Sequence, residues 1–588
     1  MFEKIRILRR PVNATVLENL MQNQVDPFLA KIIAARPIPE HAKAEFSLFN
    51  ARLSDLSSPF LLQDVDKAVA RIREAMRLKQ HIALETDHDC DGQTSHAVLM
   101  RAFIDILGYP AEYVHSFIGH RLREGYGLSD ALADRILQHT PQIALVITAD
   151  NGSSDEARIA RLKAAGIDVI VTDHHGIPAE GIPASAYACL NPTRTDCEFP
   201  DPYIAGCMVA WLLMAATRRA MVDAGDLPAG TPSMTDLLDF VAVGTVADCV
   251  SMARSLNNRV VVQYGLQKIN QFARPCWQAL RPLLKNIQVT PEDLGFLIGP
   301  LLNSDGRLSD ALGSVSFLLA PDVDAASMWV ENLFQQNQER KRIQQELVSD
   351  ALRQAEHQVM SGRSSIVVYL EEGHAGVHGI AASRIKDQFG RPVIIFSPKL
   401  NDALTITGSC RSIDALHIRE TLQQIADQYP DLILKFGGHK AAAGLTIALE
   451  QFEDFSLAFE RQVAENLADH RVGPVIWTDG VWEGAFDELR IQALQSLQPY
   501  GREFDEPIFE SYAYVKTMRR FGKSYNHLEL LLNFSEGKTV KAIWFGACQA
   551  GEMPVQEQDR VHIVFNLPLY SKSSKIIELN LKYAERCG

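Results

Sequence analysis

The chain has 588 residues, 47% of them apolar and 22% charged, and at ~150 residues per domain this length corresponds to roughly four globular domains. A short peptide and a disordered hub are excluded. With 58 basic and 72 acidic residues the net charge is -14, so a polyanionic partner must be held by a local basic groove or through bound cations.

The start, Met1-Phe2-Glu3-Lys4-Ile5-Arg6, has no unbroken apolar stretch, and residues 1–60 read as an N-terminal extension. From Ile82 to Asn191 short apolar runs alternate with helical patterns, as a parallel sheet with crossover helices requires, and 61–315 is expected to form one α/β domain. Ile82-Ala83-Leu84 leads to Asp87, Ile143 to Ile147 leads to Asp150, and Val169-Ile170-Val171 leads to Asp173. Open parallel sheets bind ligands at the carboxyl ends of their strands, so these acids are expected to converge in one crevice. Helical patterns run from Thr94 to Leu107 and from Asp155 to Ala165. The longest apolar run, around Gly206 to Ala216, falls far short of the ~20 residues that span a bilayer. Asp322 to Met360 contains no proline or glycine and predicts one or two helices, up to ~55 Å long if continuous, as a connector over 316–361. A second, smaller α/β domain is expected over 362–465, with strands at Ile366 to Tyr369 and Val393 to Phe396. Over 466–588 a helical stretch (Phe486 to Leu497) precedes period-2 runs at His527 to Leu532, Ala542 to Phe545, Val561 to Phe565 and Ile576 to Leu581, which predict a small antiparallel barrel. Nine cysteines without a C-x-x-C pair fit a reducing compartment, and a cytoplasmic protein with no membrane partner is expected.

The densest chemical cluster is Asp87-His88-Asp89-Cys90-Asp91-Gly92, directly after an apolar strand. Alone it also fits a solvated turn or a helix start. Recurrence shifts the balance: Asp150-Asn151-Gly152, Asp173-His174-His175 and Val246-Ala247-Asp248 follow apolar runs as well. Carboxylates crowded in one crevice repel unless cations lie between them. Aspartates mixed with imidazole suit manganese, with magnesium as a substitute, and two divalent ions neutralise about four aspartates. Such a pair polarises a phosphoryl oxygen and activates water for hydrolysis of a phosphoester.

These four segments, with Gly244-Thr245 ahead of the last, resemble in order the four motifs of the DHH phosphoesterases, and Gly437-Gly438-His439-Lys440-Ala441-Ala442-Ala443-Gly444 resembles the signature of their DHHA1 domain. Arg123 to Gly127, Gly299-Pro300 with Asn303 to Arg307, Gly376 to Arg384, Gly408 to Ser412 and Leu416 to Arg419 resemble, in order and spacing, the family of bacterial single-strand-specific 5′ to 3′ DNA exonucleases. The resemblance implies a DHH domain, a long connecting helix, a DHHA1 domain and a terminal OB-like barrel. It implies that Asp89, Asp91, Asp150, His174 and Asp248 hold the metals, with Asp150 as the bridge and with Asp87 and His175 as ligands or as groups that orient water and phosphate. Arg307, Ser409, Arg411 and His439 are implied around the terminal 5′ phosphate, Arg121 and Tyr126 at the terminal nucleotides, and Asn303 among the substrate-binding residues. Lys516, Arg519, Arg520, Lys523 and Tyr525 supply a basic, aromatic stretch for the barrel.

The implied activity is metal-dependent hydrolysis of single-stranded DNA from its 5′ end to mononucleotides in recombination and repair, by a monomer that works beside single-strand-binding protein and a RecQ-type helicase. Alternatives are a DHH/DHHA1 phosphodiesterase of oligoribonucleotides or cyclic dinucleotides, which is usually shorter, and a non-catalytic replication scaffold, against which the intact ligand set argues. Cys90 stands where the family usually has alanine, raising the question of oxidant sensitivity, and Asp305 places an acid two residues from Arg307.

Overall fold

The structure is a computed structural model that describes residues 4–39, 51–119, 127–284, 287–308, 312–371, 375–399, 402–468, 470–534, 537–548, 553–567 and 577–587. The chain divides into two compact units, one of Met1–Arg9 with Gln338–Thr478, the other of Arg10–Asn337 with Asp479–Gly588. The expected N-terminal extension and the expected C-terminal domain are therefore each shared between units. Strand β1 (Arg6–Arg9) accounts for the first, because it pairs in parallel with a strand some 470 residues onward.

In the larger unit, β2 (His81–Thr86), β3 (Val114–Ile118), β4 (Ile143–Ala149), β5 (Asp168–Thr172) and β6 (Ala188–Leu190) form a parallel sheet of order β3-β2-β4-β5-β6. Strands β2, β4 and β5 are buried on both faces, which is why they read as nearly unbroken apolar runs. The helix after β2 spans Cys90–Arg101, earlier than its apolar periodicity suggests, because Asp89 caps it by accepting from the backbone N–H groups of Asp91 (2.9 Å) and Gly92 (3.2 Å). The apolar run at Gly206 is the start of a buried helix, Gly206–Asp223.

One continuous helix, Val323–Met360, about 57 Å long at 1.5 Å per residue, begins in the larger unit and ends in the smaller one. Ala326, Val330 and Leu333 join the core of the larger, and Leu347, Val348, Ala351, Ala355 and Val359 pack with strands of the smaller. The smaller unit holds β7 (Ile366–Tyr369), β8 (Val393–Lys399), β9 (Asp402–Arg411), β10 (Lys435–Gly438) and β11 (Ala442–Ala448), in the order β10-β11-β9-β8-β7 with only β7 and β8 parallel. Strand β12 (Val475–Thr478) is the partner of β1.

Strands β13 (Phe509–Phe521), β14 (His527–Asn533), β15 (Thr539–Trp544), β16 (Arg560–Asn566) and β17 (Glu578–Arg586) close into a barrel within the larger unit. Two features differ from the sequence reading. The barrel is not wholly antiparallel, since β15 and β17 run parallel, and its longest strand, β13, was hidden by a bulge at Val515/Thr517 that breaks the period-2 pattern. Among the described residues, no helix is long and apolar enough to cross a membrane.

Candidate metal centre

The register of the parallel sheet brings the aspartates together. Thr86, Ala149 and Thr172 lie side by side at the strand ends, and the next residue in each strand is Asp87, Asp150 or Asp173. The ladder continues through these acids, with Asp87 N–H donating to Ala149 O (3.2 Å) and Asp150 N–H to Thr172 O (3.0 Å). Asp89 and Asp91 enter from the first turn of the helix Cys90–Arg101, and Asp248 from the end of the helix Leu238–Ala247.

Three groups of ligand atoms lie within 4.8 Å of one another: Asp87, Asp89 and Asp150; Asp91, His174 and Asp248; and Asp150, His174 and His175. His174 Nε2 lies 3.1 Å from Asp150 Oδ1, 3.6 Å from Asp248 and 3.9 Å from Asp91. Among the described residues, Asp150 Oδ1, His174 Nε2 and Asp87 Oδ2 are buried without a hydrogen-bond partner. Buried lone pairs in this state are costly, and a divalent cation is the species whose chemistry fits them. These residues therefore fit metal ions, and Asp150, common to two groups, fits a bridge.

Burial, reinforced by the neighbouring carboxylates, pushes the Asp89 carboxyl up and the Asp150 and Asp248 carboxyls well up. Burial also raises Asp91, against the opposing pull of His174 and of the Gly206 and Cys207 N–H groups, which donate to it at 2.7 and 3.0 Å. His174 is lowered by burial and kept neutral, as a metal ligand must be. Burial alone would lower His175 too, but its Nδ1 lies 2.8 Å from Asp173 Oδ1 and that carboxylate lifts it to about 9.

Asp173 is not itself in a ligand group; it accepts from the backbone of Ser153, His174 and His175 and orients the histidine pair. Glu85 is a further buried acid missed from the sequence, two residues before Asp87 on the same strand, bonded through Oε1 to Asn151 Nδ2 at 3.2 Å. Its signal was a charge inside an apolar strand.

Asn303 Oδ1 accepts from Cys90 N–H at 2.8 Å and so holds the aspartate-rich turn. The Cys90 thiol is buried and pushed well up by that burial, which suppresses the thiolate that oxidants attack. In the smaller unit Ser409 and Arg411 share one face of β9, opposite Gly444 and Ala442. Arg411 donates to Ser383 Oγ at 3.2 Å and to Cys410 O at 2.8 Å. His439, exposed, donates its N–H to Ala442 O. Gly438 has φ 140° and its turn has no room for a Cβ, whereas Gly437 has no such crowding. Arg121, Tyr126 and the side chain of Arg307 lie outside the described residues.

A parallel sheet that presents aspartates and histidines at its strand ends, joined by one helix to a smaller sheet, defines a metal-dependent phosphoesterase of the DHH type. Family models agree in three places: the DHH family N-terminal domain over 81–245, the DHHA1 domain over 362–465 and the RecJ OB domain over 484–582. The single-stranded-DNA-specific exonuclease RecJ of Haemophilus influenzae is 37% identical over 521 residues, 87% of this chain and 88% of the relative. Its Escherichia coli counterpart is 34% identical over 544 residues, 90% of each chain. The crystal structure of Thermus thermophilus RecJ in complex with Mn2+ matches with a TM-score of 0.77 at 25% identity, covering 100% of this chain and 80% of that one. The chain belongs to the RecJ family of DHH phosphoesterases.

Proposed function

We propose that this protein is a metal-dependent exonuclease that hydrolyses single-stranded DNA from its 5′ end and releases 5′-mononucleotides, acting in recombination and repair. The observation that carries this reading is the convergence of Asp87, Asp89, Asp91, Asp150, His174 and Asp248 around buried polar atoms that have no hydrogen-bond partner among the described residues. In this reading these residues hold two divalent cations, manganese in preference to magnesium, and when bound the pair supplies Lewis acidity at the phosphoryl group and a nucleophile at neutral pH. The protein's own part is positional. Asp173 fixes the His175 ring, Asn303 holds the turn that carries Asp89 and Asp91, and the N-terminus of the helix Gly206–Asp223 holds the Asp91 carboxyl in place through two N–H groups. Ser409, Arg411 and His439, with Arg307, Arg121 and Tyr126, are the expected grip on the strand end, in a monomer that meets single-strand-binding protein and a RecQ-type helicase.

The test is hydrolysis of long single-stranded DNA labelled at either end, beside duplex DNA and a dinucleotide, by the protein and by Asp150→Ala. Early release of mononucleotides from the 5′ label, from single strands only and only by the unmutated protein, is the expected result. Cleavage of the dinucleotide with the long strand spared would move the function to small-substrate phosphodiesterases.

A further inference from the structure

Asp150, the residue common to two of the ligand groups, stands at a turn that a non-glycine chain does not adopt freely. Its φ is 65°, in the left-handed region, and Gly152, two residues on, has φ 106°. The place of the Asp150 carboxylate therefore depends on what holds the chain on either side. On the strand side its N–H donates to Thr172 O at 3.0 Å. On the far side the hold is on Asn151, whose carbonyl accepts from Thr148 Oγ1 at 2.9 Å and whose side-chain Nδ2 donates to Glu85 Oε1 at 3.2 Å.

Glu85 comes from the neighbouring strand, where it pairs with Thr148 in the register of β2 and β4. Both anchors of Asn151 thus rise from one level of the sheet. Glu85 and Asn151 are 1% and 2% exposed, and among the described residues Glu85 Oε2 and Asn151 Oδ1 have no hydrogen-bond partner. For stability alone this is a poor arrangement, since an acid buried with so few partners costs more than an apolar residue such as Ala83, two positions earlier on the same face of the strand. What Glu85 supplies and an apolar side chain cannot is an acceptor for the Asn151 amide, one residue from Asp150.

We propose that Glu85 is a positioning residue, which acts through the Asn151 side chain to hold the turn at Asp150 and so sets the place of the carboxylate proposed as the bridge. This role rests on the metal-centre reading above.

The experiment is titration of the metal-free full chain with Mn2+, followed by electron paramagnetic resonance, with hydrolysis of a single-stranded oligonucleotide by the same preparations. It compares the unmutated protein with Glu85→Gln, Glu85→Ala, Asn151→Ala and the variant carrying both alanines. In Glu85→Ala the half-saturating manganese concentration is expected to rise about tenfold, the spin coupling to weaken and kcat to fall about tenfold, with KM within about twofold. Asn151→Ala should do the same, and the double variant no more than either, because both act through one contact. Glu85→Gln, whose amide oxygen accepts from the same Nδ2, should keep the native titration and spectrum. A native titration and spectrum in Glu85→Ala overturn the proposal even if its melting temperature drops, since the hydrogen bond would then be structural only. So do losses in Glu85→Gln as large as in Glu85→Ala, and losses that multiply in the double variant. If Glu85→Ala does not fold, Glu85→Leu, which fills the space without an acceptor, is read in its place. If the unmutated chain binds manganese but cleaves no single strand, the nuclease reading falls on its own and the spectra of the variants still decide the role of Glu85; a chain that binds no manganese overturns both.

Discussion

Asp150 adopts φ 65°, a left-handed conformation that costs a non-glycine residue about 1–3 kcal/mol and persists only where its surroundings enforce it. The enforcement comes from Gly206, packed so closely that a Cβ there would lie 2.7 Å from Asp150 Cβ and 2.8 Å from its Oδ1. Gly206→Ala should therefore displace the carboxylate proposed as the bridge: nuclease activity is expected to fall at least ~100-fold with stability lowered by about 1–3 kcal/mol, measured by turnover and thermal melting on the same preparation. Asp173→Asn removes the carboxylate that orients His175 and should cost about 10- to 100-fold in activity or metal affinity, together with a lower melting temperature because one of its two acceptor oxygens is lost. Protons compete for the same ligands. The raised carboxyls mean that the folded, metal-free protein binds more protons than the unfolded chain, so its stability falls as pH rises above the ordinary carboxylate range. Manganese displaces those protons, and its increase of the melting temperature should be larger at pH 8 than at pH 6. The aspartates and histidines were legible because each follows its own apolar strand or helix. Glu85 was not, because a single charge inside an apolar strand fits an exposed edge as well as a buried site.

At the scale of the element, the centre depends on strand register. Three residues far apart in sequence become neighbours because Thr86, Ala149 and Thr172 pair at one level. Alternation of apolar runs and helical patterns made the parallel sheet and the long helix readable. It could not reveal β13, whose bulge shifts the alternation by one residue in mid-strand, nor the parallel β15–β17 closure, which depends on pairing rather than on either strand's own pattern. The loop before β13 is held by Arg259, whose guanidinium bonds to carbonyls some 240 residues away. Arg259→Met would leave these buried carbonyls unpaired, and a loss of about 3 kcal/mol in unfolding free energy is expected by chemical denaturation. An unchanged denaturation midpoint would show that the clamp adds nothing to stability.

At the scale of the whole molecule, a chain with net charge -14 gathers Asp87, Asp89, Asp91, Asp150 and Asp248 in one cluster, where in the proposed reading they are ligands for cations rather than a field that repels a strand. The order of modules along the chain was legible. The membership of the compact units was not, because it rests on pairs such as β1 with β12 and on the buried ion pair of Arg36 with Asp479 (2.5 Å), more than 440 residues apart. The central claim is that the clustered aspartates and His174 are a divalent-cation centre bridged by Asp150. Its most direct test is titration of the metal-free protein and of Asp150→Ala with Mn2+, followed by electron paramagnetic resonance. Two bound ions with a coupled spectrum in the protein, and loss of that coupling in Asp150→Ala, are predicted. Equal binding and identical spectra in both would contradict the account.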